Sequence, residues 1–462
     1  MSDLLDLDAL ELSGAIAARE VSPVEVMRES LARIDALNPA LNAIVSLRDR
    51  EALMGEARLA EAMPPQGWLH GIPIAVKDLV SVKGLRSTSG SPLLADFIPA
   101  ADDGIVRALR GAGAIVIGKT NVPAYGLGSH STNTVFGATR GPYEPSRTAG
   151  GSSGGAGAAL AARMVCVADG SDMMGSLRNP AAWNNVYGFR PSVGLVAGEA
   201  GDSVLQHKLS TLGPMARSVA DLEALLATMS EGRFVPAEQA ASGAQLRIGW
   251  LGDWGGAYAM EEGILAQSHA ALAQMEALGW HVEPVAPPVS AGMLWESWTQ
   301  LRSFAVAMSL GVHWRDEGEK AQLNAQAQWE IRNGFALTGE QLDRAAQMRL
   351  DWLACFRDLM TRFDALVLPS TQIWPFPVEW AWPEEIGGVT MDSYHRWMEV
   401  VVPASLIGAP VLNLPAGFGE NGLPAGVQLI GRHGADAQVL AMGRAYHAAT
   451  QWPQNHPPAL AT

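Results

Sequence analysis

Apolar positions recur along the chain in two rhythms, one helical and one of short unbroken runs. Met27, Leu31 and Ile34 fall at helical spacing. Just ahead of them, Ser22-Pro23-Val24-Glu25 combines a serine able to cap the first free N–H groups, a proline suited to the first turn and a glutamate placed to complete a capping box. A helix is predicted to start there and to stop at Asn38-Pro39. Two apolar runs follow, Ile72 to Val76 and Ala114 to Ile117, separated by a Gly/Ser/Pro-rich loop and a helical segment around Gly104 to Arg110. That alternation reads as strands with helical crossovers.

From Arg147 to Ser192 the chain turns to glycine, serine and other small residues, with a helix-forming segment at Ala156 to Met164 and an apolar, strand-like run from Met164 to Ala168. The pattern is then mostly helical to about residue 360. No proline occurs between Val289 and Leu368, although Gly334 and Gly339 should divide that stretch into separate helices. Ala365 to Leu368, Val411 to Leu414 and Val427 to Ile430 return to short apolar runs bounded by Pro or Gly. Strands at both ends with helices between them predict an α/β fold whose single sheet is completed by the C-terminal segment. No internal repeat or heptad run interrupts this reading.

Composition narrows the function. A chain of 462 residues, 48% hydrophobic and 17% charged, can bury a large core and carries no mark of disorder. A formal net charge of −15 argues against nucleic acid or an anionic membrane as partner, because both need clustered Lys and Arg. The amino-terminal stretch lacks a basic region followed by an apolar one, and no run of about eighteen apolar residues appears, so a cytoplasmic location is expected. Cys166 and Cys355 cannot form a disulfide framework, and Cys166, inside an apolar run, reads as a buried thiol. With no HExxH, paired CxxC or Walker-type motif, neither a metal nor an organic cofactor is expected.

Gly150-Gly151-Ser152-Ser153-Gly154-Gly155 would alone suggest a flexible linker. Placed at the start of the Ala156 to Met164 helix, it sits where free backbone N–H groups can face a hydroxyl or an anion. The same stretch matches a G-x-S-x-G nucleophile elbow with Ser153 central, but an elbow must follow a strand. Gly141 to Pro145 is a loop pattern, and no Asp and His partners stand at usable spacing. A second serine cluster, Asp172-Met173-Met174-Gly175-Ser176-Leu177-Arg178-Asn179-Pro180, follows the apolar run ending at Ala168.

Taken in order, GIPIAVKD with Lys77, GKTN at Gly118 to Asn121, GGSSGG, D-x-x-G-S-L-R-N-P-A, GPMARSVAD at Gly213 to Asp221 and GLPAGVQLIG at Gly422 to Gly431 resemble the amidase signature family. The resemblance spans roughly residues 70 to 225 and 360 to 445, and the 24 positions separating Ser152 from Ser176 resemble the family's spacing of its catalytic serines. It implies a large, mixed, twisted β-sheet covered by helices on both faces. It also implies one domain over residues 1–462, with a catalytic core at about 65–230 and 360–450 and a helical substrate-pocket region at about 231–360.

By the same resemblance Ser176 is the nucleophile, Ser152 the bridging serine after a cis peptide bond, and Lys77 the base. The chemistry agrees, since a serine hydroxyl needs a neighbour to remove its proton and no histidine is spaced for that task. Lysine can do so only when neutral, which requires burial. The N–H groups of Met173, Met174, Gly175 and Ser176 match the oxyanion hole, with Ser153, Asp172 and Arg178 as supporting hydrogen-bond partners. Met174 departs from the family's usual glycine, and a positive φ at that position would strain it. Its side chain, with Gly151, Tyr125 and Phe136, is a candidate to touch substrate.

Twelve of the fifteen tryptophans lie between Trp250 and Trp397, several near the Pro-rich loop Ile373 to Pro383, and some should wall a cleft for an apolar or aromatic group. The expected activity is hydrolysis of a carbon–nitrogen acyl bond in a small hydrophobic or aromatic molecule, whether amide, anilide, carbamate or urea, through an acyl-serine. The alternative within the family is the glutamine-hydrolysing component of an aminoacyl-tRNA amidotransferase. A homodimer stays open.

Overall fold

The structure, a computed structural model, describes residues 4–196, 208–238 and 245–460. The capping box forms as read. Ser22 Oγ accepts from the Glu25 N–H at 3.1 Å, and Glu25 Oε2 accepts from the Ser22 N–H at 2.8 Å, opening a helix over Pro23–Leu41. Asn38-Pro39 does not stop it. The helix runs one more turn and ends at Asn42, which takes φ 51° and donates its N–H to Asn38 O. Asn42 is among the few residue types that tolerate the left-handed region.

The strands divide into two sheets rather than one. β1 (Ile44–Val45), β2 (Pro73–Lys77) and β3 (Ile115–Thr120) form a small sheet in the order β1-β3-β2, with β2 and β3 parallel. The large sheet contains β4 (Val167–Asp172), β5 (Tyr187–Arg190), β6 (Thr211–Ala216), β7 (Arg247–Trp250), β8 (His281–Pro284) and β9 (Ala365–Pro369). A short ribbon of β10 (Glu385–Ile386) and β11 (Val389–Thr390) stands apart, and β12 (Val411–Phe418) and β13 (Pro424–Ile430) complete the large sheet. Its eight-strand order is β4-β6-β5-β12-β13-β9-β7-β8. The C-terminal strands thus sit at its centre, as the sequence suggested. β7 and β8, inside the region expected to be helical, add two parallel strands at its edge.

Alternation along the central strands explains why helices cover both faces. In β9, Ala365 and Val367 join a core with Leu412 and Leu414 of β12 and with the helices Val219–Met229, Ile264–Ala277 and Asp436–Thr450. Leu366 and Leu368 point to the opposite face, into a second core with the helices Ala291–Leu310 and Gly339–Leu359. Among the described residues no helix is long and apolar enough to cross a membrane.

Candidate active site

The site forms where the small sheet meets the edge of the large one. Lys77 ends β2, and its backbone N–H donates to Asp169 Oδ1 of β4 at 2.9 Å. The apolar run read as ending at Ala168 is therefore only the start of a strand that continues to Asp172. Its polar half was invisible to a hydrophobicity pattern because Asp169 and Ser171 are buried by holding the lysine.

Lys77 is wholly buried. Its Nζ lies 2.8 Å from Ser152 Oγ, 2.8 Å from Ser153 Oγ, 2.9 Å from Ser171 Oγ and 3.2 Å from Ser171 O. Desolvation favours the neutral amine, and although Asp169 and Asp172 pull the other way, the lysine titrates at about 7. Ser153 is thus a ligand of the lysine, fully buried, with no strand leading into it. The peptide bond between Gly151 and Ser152 is cis. The Gly151 carbonyl accepts from Ser129 Oγ at 2.6 Å, and Asn179 Nδ2 donates to the same hydroxyl at 3.2 Å.

Asp172 organises the second serine loop. Burial alone would raise its carboxyl pKa, but Arg178, Arg190 and the Leu177 N–H outweigh that and hold it at about 2. Arg178 grips it with Nη2 on Oδ1 at 2.9 Å and Nε on Oδ2 at 3.0 Å. The carboxylate also accepts the N–H groups of Gly175 (2.9 Å) and Leu177 (3.0 Å). The expectation for Gly175 is revised accordingly, because its N–H is committed to Asp172. The N–H groups of Met173, Met174 and Ser176 have no hydrogen-bond partner among the described residues.

Met174 escapes the strain expected of it, since the left-handed residue in this loop is Gly175 at φ +81°. Its side chain, 3% exposed, packs with Trp183, Trp397 and Val401 in the second core instead of meeting substrate. Met173 takes that place. It lines a cavity of about 380 Å³ together with Ser152, Ser171 and Ser176. Ser176 retains 6% exposure, and its Oγ has no hydrogen-bond partner among the described residues.

The cavity's other walls are Leu79, Leu94, Tyr125, Leu127, Val306, Leu310 and His313. Of the expected substrate contacts, Tyr125 is present, with its hydroxyl accepting from Ser91 Oγ at 2.7 Å. Phe136 is elsewhere, under the Arg86 guanidinium at 5.1 Å. The tryptophans do not wall this cavity. Trp382 and Trp397 line a neighbouring one of about 610 Å³, which shares Leu127 with the first, while Trp298 and Trp352 are core.

Sequence reasoning missed Ser171, Asp169 and His313. Ser171 and Asp169 lie two and four positions from the catalytic loop and could have been found by testing strand alternation through Asp172. His313, whose Nδ1 lies 3.0 Å from Glu319 Oε2, is brought to the cavity wall only by the tertiary fold. Among the described residues no group of three or more His, Cys, Asp or Glu is placed to hold a metal ion.

Known proteins share both sequence and architecture with this chain. A model of the Amidase family matches residues 25–440. An acylamidase of Rhodococcus erythropolis is 31% identical over 474 residues, covering 98% of this chain and 97% of that protein. The first component of the glutamyl-tRNA(Gln) amidotransferase of Thermus thermophilus is 33% identical over 473 residues, covering 96% and 97%. The crystal structure of a bacterial aryl acylamidase, itself an amidase signature enzyme, superposes with a TM-score of 0.89 at 26% identity, covering 99% of both chains. The family model spans the two serine loops, Lys77 and the central strands of the large sheet, and the chain belongs to the amidase signature family.

Proposed function

We propose that this protein hydrolyses the carbon–nitrogen acyl bond of a small hydrophobic amide through a covalent acyl-Ser176. The observation that carries the reading is the burial of Lys77 among three serines, one of which, Ser152, opens with Ser176 onto the same cavity. A lysine titrating at about 7 is largely neutral at slightly alkaline pH and can accept a proton from Ser152. Ser152, donor and acceptor at once, takes the proton of Ser176 in turn.

Ser176 Oγ then bonds to the scissile carbonyl carbon. The free N–H groups of Met173, Met174 and Ser176 are the donors for the oxyanion that develops. The proton held at Lys77 returns through Ser152 to the nitrogen, the C–N bond breaks and the amine departs. Water, deprotonated by the same route, then cleaves the acyl-serine ester and regenerates the Ser176 hydroxyl.

Leu79, Leu94, Leu127, Val306 and Leu310 support a hydrophobic substrate, and with tryptophan absent from the cavity lining, aliphatic groups fit as well as aromatic ones. The acylamidase and aryl acylamidase relatives support the same class. Steady-state assays of the purified protein against acyl-anilides, alkyl amides, carbamates and glutamine test it. Hydrolysis of apolar amides that disappears in Ser176→Ala is expected, and a preference for glutamine over every apolar amide would contradict the reading.

A further inference from the structure

The helix Ala291–Leu310 presents one stripe to the Ser176 cavity. Ala305, Val306, Ser309 and Leu310 line it, and His313 continues the stripe just past the helix end. Helical spacing places Arg302 on the same stripe, one turn further in. Exposure increases along it, from buried at Arg302 to exposed at Ser309, so the arginine marks the closed end and His313 lies toward the mouth.

Arg302 is held in a buried cluster. Its Nε donates to Glu330 Oε1 at 2.6 Å and its Nη2 to the Tyr394 hydroxyl at 2.9 Å. Glu330 is filled from two further sides, by Tyr394 OH at 2.6 Å and Ser303 Oγ at 2.5 Å. The remaining arm, Nη1, donates to Met173 Sδ at 3.1 Å, its sole partner among the described residues. A thioether is a weak acceptor for a desolvated guanidinium. Met173 lines the cavity while Arg302 does not, so the methionine side chain stands between them. It is partly exposed, unbranched and able to turn about three bonds.

We infer that Arg302 is a specificity-determining residue, screened by Met173, which takes a neutral hydrogen-bond acceptor at the far end of the substrate's acyl group. The acceptor oxygen displaces Met173 Sδ and receives the Nη1 hydrogen bond in its place. It is neutral because Glu330 already balances the guanidinium, and a second carboxylate would leave an uncompensated negative charge in a buried cluster. A ketone, ether or sulfonyl oxygen meets the requirement. This inference rests on the hydrolase reading above and narrows its substrate class to apolar acyl groups with one distal acceptor.

The test uses three amides with the same amine and acyl length, ending in a ketone, in the matching methylene, or in a carboxylate. Each is assayed for kcat/KM with the wild type, Met173→Ala and Arg302→Met/Glu330→Gln, the double change leaving no unpaired charge. A hydrogen bond to a charged donor predicts a ketone-to-methylene ratio of about ten or more in the wild type, with the carboxylate below the methylene. The ratio should increase in Met173→Ala and fall to about one in the double variant. If the double variant does not fold, the Met173→Ala ratio decides alone. A wild-type ratio of about one, a ratio unchanged in the folded double variant, or no increase in Met173→Ala overturns the inference while turnover of the methylene amide keeps the hydrolase reading. Loss of Ser176-dependent turnover for all three amides overturns both.

Discussion

Lys77 Nζ lies 2.8 Å from Ser152 Oγ, in a position that no solvent reaches. Its proton affinity therefore sets the pH at which the serine relay can work. Only the amine accepts a proton, so kcat/KM should rise from pH 6 through one ionisation near 7 and level off by about pH 8 to 9. Lys77→Ala should lose most activity together with that ionisation, whereas His313→Ala should keep it. A profile flat from about pH 6 to 9, or an ionisation that vanishes in His313→Ala, would transfer the base to another group.

Burying that lysine also costs stability, with a sign fixed by its pKa. The folded value, about 7, lies below the ordinary 10.5, so unfolding takes up a proton between those limits and stability increases with pH across them. At 1.36 kcal/mol per pH unit the penalty is up to about 5 kcal/mol at pH 6 and about 2 kcal/mol at pH 9. Lys77→Met should therefore be inactive yet more stable than wild type, by a larger margin at pH 6. Urea denaturation at the two pH values measures this, and a margin that grows toward pH 9 would contradict the assignment.

Much of this site was legible in the sequence because its chemistry is local. The two serine loops and Lys77 stand in short motifs whose residue types are each required, and Ser22 with Glu25 signals a helix start within four residues. What stayed hidden depends on partners distant in the chain. Asp169 to Asp172 do not look like a strand until Lys77 is brought against them, and β7 and β8 gain their place only from pairing beside β9. The substrate walls were least legible. Met173 and Met174 are adjacent and chemically identical, and only the positive φ at Gly175 and the packing around Trp397 send one to the cavity and the other to the core.

That division of labour gives a paired mutational expectation. A Cβ on Gly175 would stand 2.6 Å from Asn179 Oδ1 and 3.0 Å from Val401 Cγ1, at a φ that disfavours any side chain. Gly175→Ala should shift the neighbouring N–H donors and lower kcat by about 10² or more. Met174→Leu keeps volume and polarity in an apolar core and should cost less than about 1.5 kcal/mol, with activity near that of the wild type. Equal losses in both variants would show that the loop's conformation does not carry the oxyanion site.

Because every step runs through serine, lysine and backbone N–H groups, activity should survive dialysis against EDTA unchanged. Loss that zinc or magnesium restores would require a different chemistry.

Covalent capture of the nucleophile separates Ser176 from its neighbours Ser152, Ser153 and Ser171. The protein is treated with a fluorophosphonate, digested and mapped by mass spectrometry, alongside Ser176→Ala. One label per chain is expected, on Ser176, forming faster as the pH increases through 7 and absent from the variant. Label on Ser152 or Ser153, or undiminished labelling of Ser176→Ala, would contradict Ser176 as nucleophile and the relay built on it.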